Sequence, residues 1–254
     1  MSAVVAVVKR ELQAYFVSPV AYAFMAVFLF IIAAGFSVGF MRYVMIPAAV
    51  FEKWGLTIRT QLVAGQYGLV TWGYFAALFS LPGLSMRLLS EEKKLGTAEL
   101  LFTSPITSAQ IVVGKFFGAV TLYAFILFLT LPFPAFLAWK GEPELAALGA
   151  AYLGLFFYGA VMLAAGVFAS SLTESQFIAL ILTYAIVMPL VLVEFAVPLV
   201  RPPFDQVVSA LAIGYALKAA ALGSIDTAYV ILQTILIAAF LFLAVRVIDS
   251  PRWR

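Results

Sequence analysis

The sequence contains neither cysteine nor histidine, and only 11% of its 254 residues are charged. Those two absences remove disulfides, thiolate nucleophiles, haem attachment, Cys/His zinc sites and the commonest acid–base side chain. With no cysteine, the sequence carries no sign of redox compartment. Charged residues usually make up about 25% of a soluble domain. A soluble chain this long would need far more polar residues to cover its surface. With 65% hydrophobic residues, the excess apolar area must face lipid. The net charge of +3 is small and does not point to a nucleic-acid partner. Basic residues beside membrane spans ordinarily fix orientation.

What the chain does have is long uncharged runs. They cover Leu12–Met41, Thr60–Met86, Phe116–Trp139, Leu145–Thr173, Ser175–Val193 and Thr227–Val245. A helix needs about 20 apolar residues to cross the hydrocarbon, so each run crosses once. The expected fold is an all-α integral membrane protein with six transmembrane helices, at about 18–41, 62–86, 112–139, 146–172, 175–194 and 227–247. Gln206–Leu217 is also uncharged but too short to span, which suits a short re-entrant or interfacial outer helix before the last span. No soluble domain, linker, low-complexity tract or internal repeat stands out.

At the N-terminus, Val5, Val8, Leu12 and Tyr15 recur at helical spacing with Lys9, Arg10 and Gln13 between them. That pattern predicts an amphipathic interfacial helix over 2–16, with an early part of span one as the alternative. Lys9 and Arg10 follow the first apolar residues instead of preceding them, so a cleavable signal peptide is not expected. Placing the N-terminus inside puts Lys9, Arg10, Arg87, Lys93, Lys94, Lys115, Arg246, Arg252 and Arg254 in the cytoplasm. Arg42, Lys53, Arg59, Lys140, Arg201 and Lys218 then fall outside, nine basic residues against six. The expected setting is the cell inner (cytoplasmic) membrane, with both termini cytoplasmic.

The loop over 87–110 carries most of the information. Arg87 to Lys94 reads as a charged helical extension of span two, with Glu91 placed to pair with Arg87 and Lys94 at helical spacing. Gly96 permits a stop and reversal. Thr97 is a suitable N-cap, and Glu99 sits where a negative charge suits the helix dipole. A short helix from about Ala98 to Thr103 then displays Leu100, Leu101 and Phe102 before Ser104-Pro105 ends it. Thr107 and Gln110 form a capping box for span three. A short apolar helix in the cytosol packs on the membrane surface, docks in a partner's groove, or tucks under its own bundle. Composition alone leaves these open.

The run Arg87, Glu91-Glu92-Lys93, Gly96-Thr97-Ala98-Glu99-Leu100-Leu101 and Thr103-Ser104-Pro105, with Gly114-Lys115 following, closely resembles the coupling region of ABC-2-type transporter permeases. Lys9-Arg10-Glu11-Leu12 with Tyr15-Phe16 and Ser18-Pro19 is similar to the opening of that family's gliding-motility-type permeases. The resemblance covers the whole chain in topology and implies one transmembrane domain over 1–254. It implies a permease subunit that pairs with a second permease copy as homodimer or heterodimer and binds an ABC ATPase subunit. It assigns ATPase coupling to Gly96, Thr97, Glu99, Leu100, Leu101, Phe102 and Pro105. Arg87, Glu91, Glu92 and Lys93 would shape the loop or meet the partner's edge. ATP and Mg would sit on the partner ATPase, and no cofactor or metal on this chain. Membrane lipids are expected partners, and a periplasmic accessory protein is a further one.

The chain has no phosphate-binding loop. Its Gly114-Lys115 pair is followed by Phe116, and Ala109 stands where the first glycine belongs. No catalytic residue is assigned. Glu194, just after span five, is a candidate for gating or substrate contact; the alternative is a carboxylate reaching headgroup water. Glu174 falls in a tight turn between spans four and five. Pro132, Pro134 and Pro189 can bend or break their spans, while Gly154, Gly159 and Gly166 permit close packing in span four. Three classes of function compete. They are an ATP-driven exporter's permease, an ATPase-coupled machine passing force to periplasmic or cell-surface partners, and a membrane-embedded enzyme, for which the spans supply no paired acids. The scarcity of charge in the spans favours an amphipathic or lipid-like cargo over a small ion.

Overall fold

The computed structural model describes residues 3–45, 68–96, 106–140, 145–201, 204–223 and 226–250. Every regular element among them is helical. In chain order these are α1 (Ala3–Val17), α2 (Pro19–Met45), α3 (Leu69–Ser85), α4 (Ser90–Lys94), α5 (Ser108–Leu129) and α6 (Pro132–Lys140). There follow α7 (Leu145–Ser171), α8 (Gln176–Leu192), α9 (Phe204–Leu211), α10 (Ile213–Ala221) and α11 (Thr227–Ile248). Six helical segments are long and apolar enough to cross a membrane, as the uncharged runs require.

Helix α7 is the axis of the bundle. In its most apolar stretch 72% of residues are buried, against 11% for α11, so α7 is enclosed by protein and α11 is peripheral. Helices α3, α5, α8, α10 and α11 all pack on it, α2 lies on α3, and α1 lies on α5. Small residues allow this crowding. At Gly159 the ring of Tyr123 occupies the space a side chain would take, and the Tyr123 hydroxyl donates to the Leu155 carbonyl at 2.7 Å. The outer faces stay apolar: Val27, Phe30 and Met41 on α2, Phe177 and Ile181 on α8, and Ile231 and Phe242 on α11 are all exposed. This is a multi-pass membrane protein.

Four places in the helices bear on the sequence expectations, and the break at Pro132 is one those expectations allowed. The extension of span two is interrupted by a turn over Met86–Leu89, because the Leu89 N–H donates to Ser170 Oγ at 3.2 Å, which leaves the helical ladder. Span three breaks at Thr130 and Leu131 ahead of Pro132; Thr130 Oγ1 donates to the Leu127 carbonyl, and the Tyr152 hydroxyl donates to the Thr130 carbonyl. The run Gln206–Leu217 is not one helix but parts of α9 and α10, meeting at the non-helical Ala212. Finally, the side of α1 packed on protein centres on Val7, Glu11 and Tyr15, whereas Val5 is exposed. The Thr107–Gln110 capping box forms in both directions, at 3.3 Å and 3.0 Å.

Candidate functional site

The site begins with two glycines one turn apart on α5. A Cβ on Gly114 would stand 2.7 Å from the Val7 side chain, and one on Gly118 would stand 2.8 Å from Glu11 Cβ. Without side chains there, α1 settles directly on α5 and delivers the Glu11 carboxylate to the residue after Gly114, Lys115. Lys115 is 1% exposed. Its Nζ donates to Glu11 Oε1 at 2.8 Å and pairs with Glu92 Oε1 at 3.0 Å. Arg10 bridges the same two carboxylates, donating to Glu11 Oε1 at 3.3 Å and to Glu92 Oε1. Two cations and two anions thus form a neutral cluster, and each carboxylate touches both cations. A buried ammonium requires such partners, because an unpaired charge out of water costs several kcal/mol.

Glu92 lies on α4, where the loop over 87–110 begins. Around it, Arg87 donates to Glu91 Oε2 and to Ser18 Oγ, each at 3.1 Å. Leu89 reaches Ser170 at the end of α7, and Lys93 lies 3.8 Å from Glu174 in the turn between α7 and α8. The Glu174 side of that pair is 65% exposed and the separation is long, so the contact contributes little. The segment from Arg87 to Lys93 is therefore tied to α1, to the start of α2, to α5, to α7 and to the α7–α8 turn. Immediately after it, Leu95 and Gly96 close α4 with a turn. Their N–H groups donate to the Glu91 and Lys93 carbonyls, and Gly96 has φ 69°. Among the described residues no atom lies within 4 Å of a Cβ built there, so backbone conformation is what favours glycine.

A cavity of about 310 Å³ lies between α1 and α4, bordered by Tyr15, Arg87, Glu92, Leu95 and Lys115. The Tyr15 hydroxyl is buried without a hydrogen-bond partner among the described residues. Burial, reinforced by the nearby Glu11 carboxylate, pushes its phenol well above the ordinary range.

Of the residues expected to act in coupling, the structure joins Arg87, Glu91, Glu92 and Lys93 into one assembly and places Gly96 at its exit. Thr97, Glu99, Leu100, Leu101, Phe102 and Pro105 lie outside the described residues. Glu194 stands far from this assembly, at the opposite end of the bundle. It is 8% exposed and accepts from Lys218 Nζ at 3.2 Å. Sequence reasoning missed Glu11 and Lys115 as partners, although a glutamate amid the apolar residues of α1 and a lysine among the glycines of α5 are the kind of signal that marks a buried pair. Among the described residues, no group of three acidic side chains is placed to hold a metal ion.

The model of the ABC-2 family transporter protein matches residues 5–205, which include the whole charge assembly and Glu194. The chain belongs to the ABC-2 transporter family. Comparison with curated proteins gives no match. As an ABC-2 permease it is the membrane component of an ABC transporter. Family membership implies, in general, an ABC ATPase partner and a permease dimer. The family match does not single out the gliding-motility branch.

Proposed function

We propose that this permease is the membrane subunit of an ATP-driven exporter, driven through its 87–110 loop by a separate ATPase subunit. The observation that carries the reading is the buried cluster of Arg10, Glu11, Glu92 and Lys115, which fastens the start of that loop to two other helices. In this reading residues Thr97, Glu99, Leu100, Leu101, Phe102 and Pro105 meet the ATPase, with Gly96 setting the angle at which they leave α4. Arg87, Glu91, Glu92 and Lys93 hold the loop's base. ATP and Mg belong to the ATPase, and a second permease copy completes the transporter. The charged end of the bundle faces the cytoplasm, with both termini, and the membrane is the inner (cytoplasmic) one.

Physical coupling needs two things. The contact must bind differently in the open and closed ATPase states. The loop's base must also move with the helices it serves. Five fastenings to separate elements meet the second need: displacement of α4 carries α1 and α5 with it through charge pairs too costly to leave open. The test is co-purification of the permease with its ATPase, comparing wild type with Glu99→Arg and with Leu100→Asp/Leu101→Asp. Membrane-inserted, folded variants that lose the ATPase are the expected result. Retention at the wild-type level refutes the docking assignment, and a wild type that captures no ATPase refutes the transporter reading.

A further inference from the structure

At the end of the bundle away from the charge assembly, a cavity of about 340 Å³ lies among α3, α8, α10 and the turn after α8. Its walls are mostly apolar, with Val70, Phe75 and Leu78 on one side and Met188 and Val191 on the other, and Thr71 and Tyr74 add hydroxyls to the first. Glu194 lines it with one oxygen committed and one free. Oε1 accepts from Lys218, whereas Oε2 is buried without a hydrogen-bond partner among the described residues. The carboxylate fits only because residue 214 is glycine, where a Cβ would stand 2.0 Å from Oε2 and 2.9 Å from the Tyr74 ring. The Glu194 side chain is 5% exposed, while that of Lys218 is 66% exposed. Leu192 and Phe195, at the rim, are exposed like the lipid-facing surface.

A buried carboxylate oxygen with no donor is costly, and although Thr71, Tyr74 and Lys218 also line the cavity, none of their donors reaches Oε2. The missing donor has to arrive on a molecule whose remainder is content among Leu, Val, Met and Phe. It also has to suit the exposed lysine at the mouth. We infer that the cavity binds a phospholipid bearing a primary ammonium group. The ammonium donates to Glu194 Oε2 beside the Tyr74 and Phe75 rings, whose faces attract a cation. The phosphate lies by Lys218, and the acyl chains leave past Leu192 and Phe195 into the bilayer. The volume suits a headgroup with the first part of its chains, within the usual range for ligand sites. A choline headgroup has no N–H to give, and a glycerol headgroup brings net negative charge to a carboxylate.

This binding involves no ATP-driven step, so it stands or falls apart from the coupling reading. The experiment is native mass spectrometry of the delipidated full chain in detergent, titrated with phosphatidylethanolamine, phosphatidylcholine and phosphatidylglycerol of identical acyl chains. Wild type should hold the ethanolamine lipid about tenfold more tightly than either other lipid, the worth of a hydrogen bond to a charged group. Glu194→Gln, which keeps the shape and removes the charge, should bring the three lipids to within about twofold of one another. Free ethanolamine should not displace the lipid. Equal binding of the three lipids by wild type overturns the inference without recourse to any variant. So does a preference that survives Glu194→Gln, or phosphatidylglycerol binding as tightly as phosphatidylethanolamine. Displacement by free ethanolamine would assign the cavity to a soluble amine and overturn the lipid.

Discussion

Replacing Lys115 with methionine tests whether the charge cluster holds the loop's base to the bundle. The substitution keeps an unbranched apolar stem in a side chain one atom shorter than that of lysine. It removes the ammonium that lies 2.8 Å from Glu11 and 3.0 Å from Glu92. Breaking a buried ion pair from one side costs about 3–5 kcal/mol, because the abandoned partner stays out of water. Here Arg10 remains on both carboxylates and the Glu92 side chain is 18% exposed, so the low end applies, about 3 kcal/mol. For a chain of this size that corresponds to a fall in Tm of about 6–12 °C. Unfolding of the detergent-purified chain can be followed by the fluorescence of its four tryptophans. The companion variant carries Lys115→Met with Glu11→Gln and Glu92→Gln. It leaves no anion uncompensated, and the half-exposed Arg10 can turn to water, so it should recover more than half of the lost Tm. The reasoning is refuted if Lys115→Met melts within about 2 °C of wild type, or if the triple variant is no more stable than the single one.

Two further outcomes follow from the same region. Gly96→Ala forces a side chain into the left-handed region at a cost of about 1–2 kcal/mol; ATPase captured per permease in co-purification should fall about 5- to 30-fold, and less for Gly96→Asn, which tolerates that conformation. Undiminished capture by Gly96→Ala would show that the turn does not set the loop's exit. Tyr15→Phe deletes a buried hydroxyl without a partner, so stability should hold or rise by up to about 1 kcal/mol. The folded chain holds that phenol protonated more strongly than the unfolded chain does. The stability linked to it is therefore complete below about pH 10 and is lost as pH rises beyond. Melting curves of the variant and wild type should diverge above about pH 10, with the variant the more stable; parallel curves would refute the assignment.

The parts legible in the sequence are those decided by neighbours along the chain. Lipid-facing runs announce spans through composition, the Thr107–Gln110 cap closes across three residues, and the Arg87–Glu91 pair spans a single helical turn. The cluster's central contact joins residues 104 apart, and no periodicity links Glu11 to Lys115. Lys115 counted only as a charge for orientation, because its burial depends on α1 folding back onto Gly114 and Gly118. Glu194 stood out as an acid near lipid, yet its partner Lys218 comes from a helix that begins after the break at Ala212. Ser170 had no local reason to be noticed; it takes a backbone bond that the interrupted helix cannot keep.

The separation between Glu11 and Lys115 also sets an order of events during synthesis. Helix α1 leaves the ribosome long before its seat exists. At about 5–20 residues per second, some 5–20 s pass before Lys115 follows Glu11. Throughout that interval Arg10 and Glu11 stay solvated at the membrane surface, where unpaired charge is tolerable. Only when α5 has entered the bilayer with Gly114 and Gly118 turned toward α1 does the acid find its lysine, and Glu92 joins the same lock. A chain whose third span inserts wrongly keeps a charged, undocked helix at its N-terminus. Docking of α1 therefore depends on the first half of the permease having been threaded correctly.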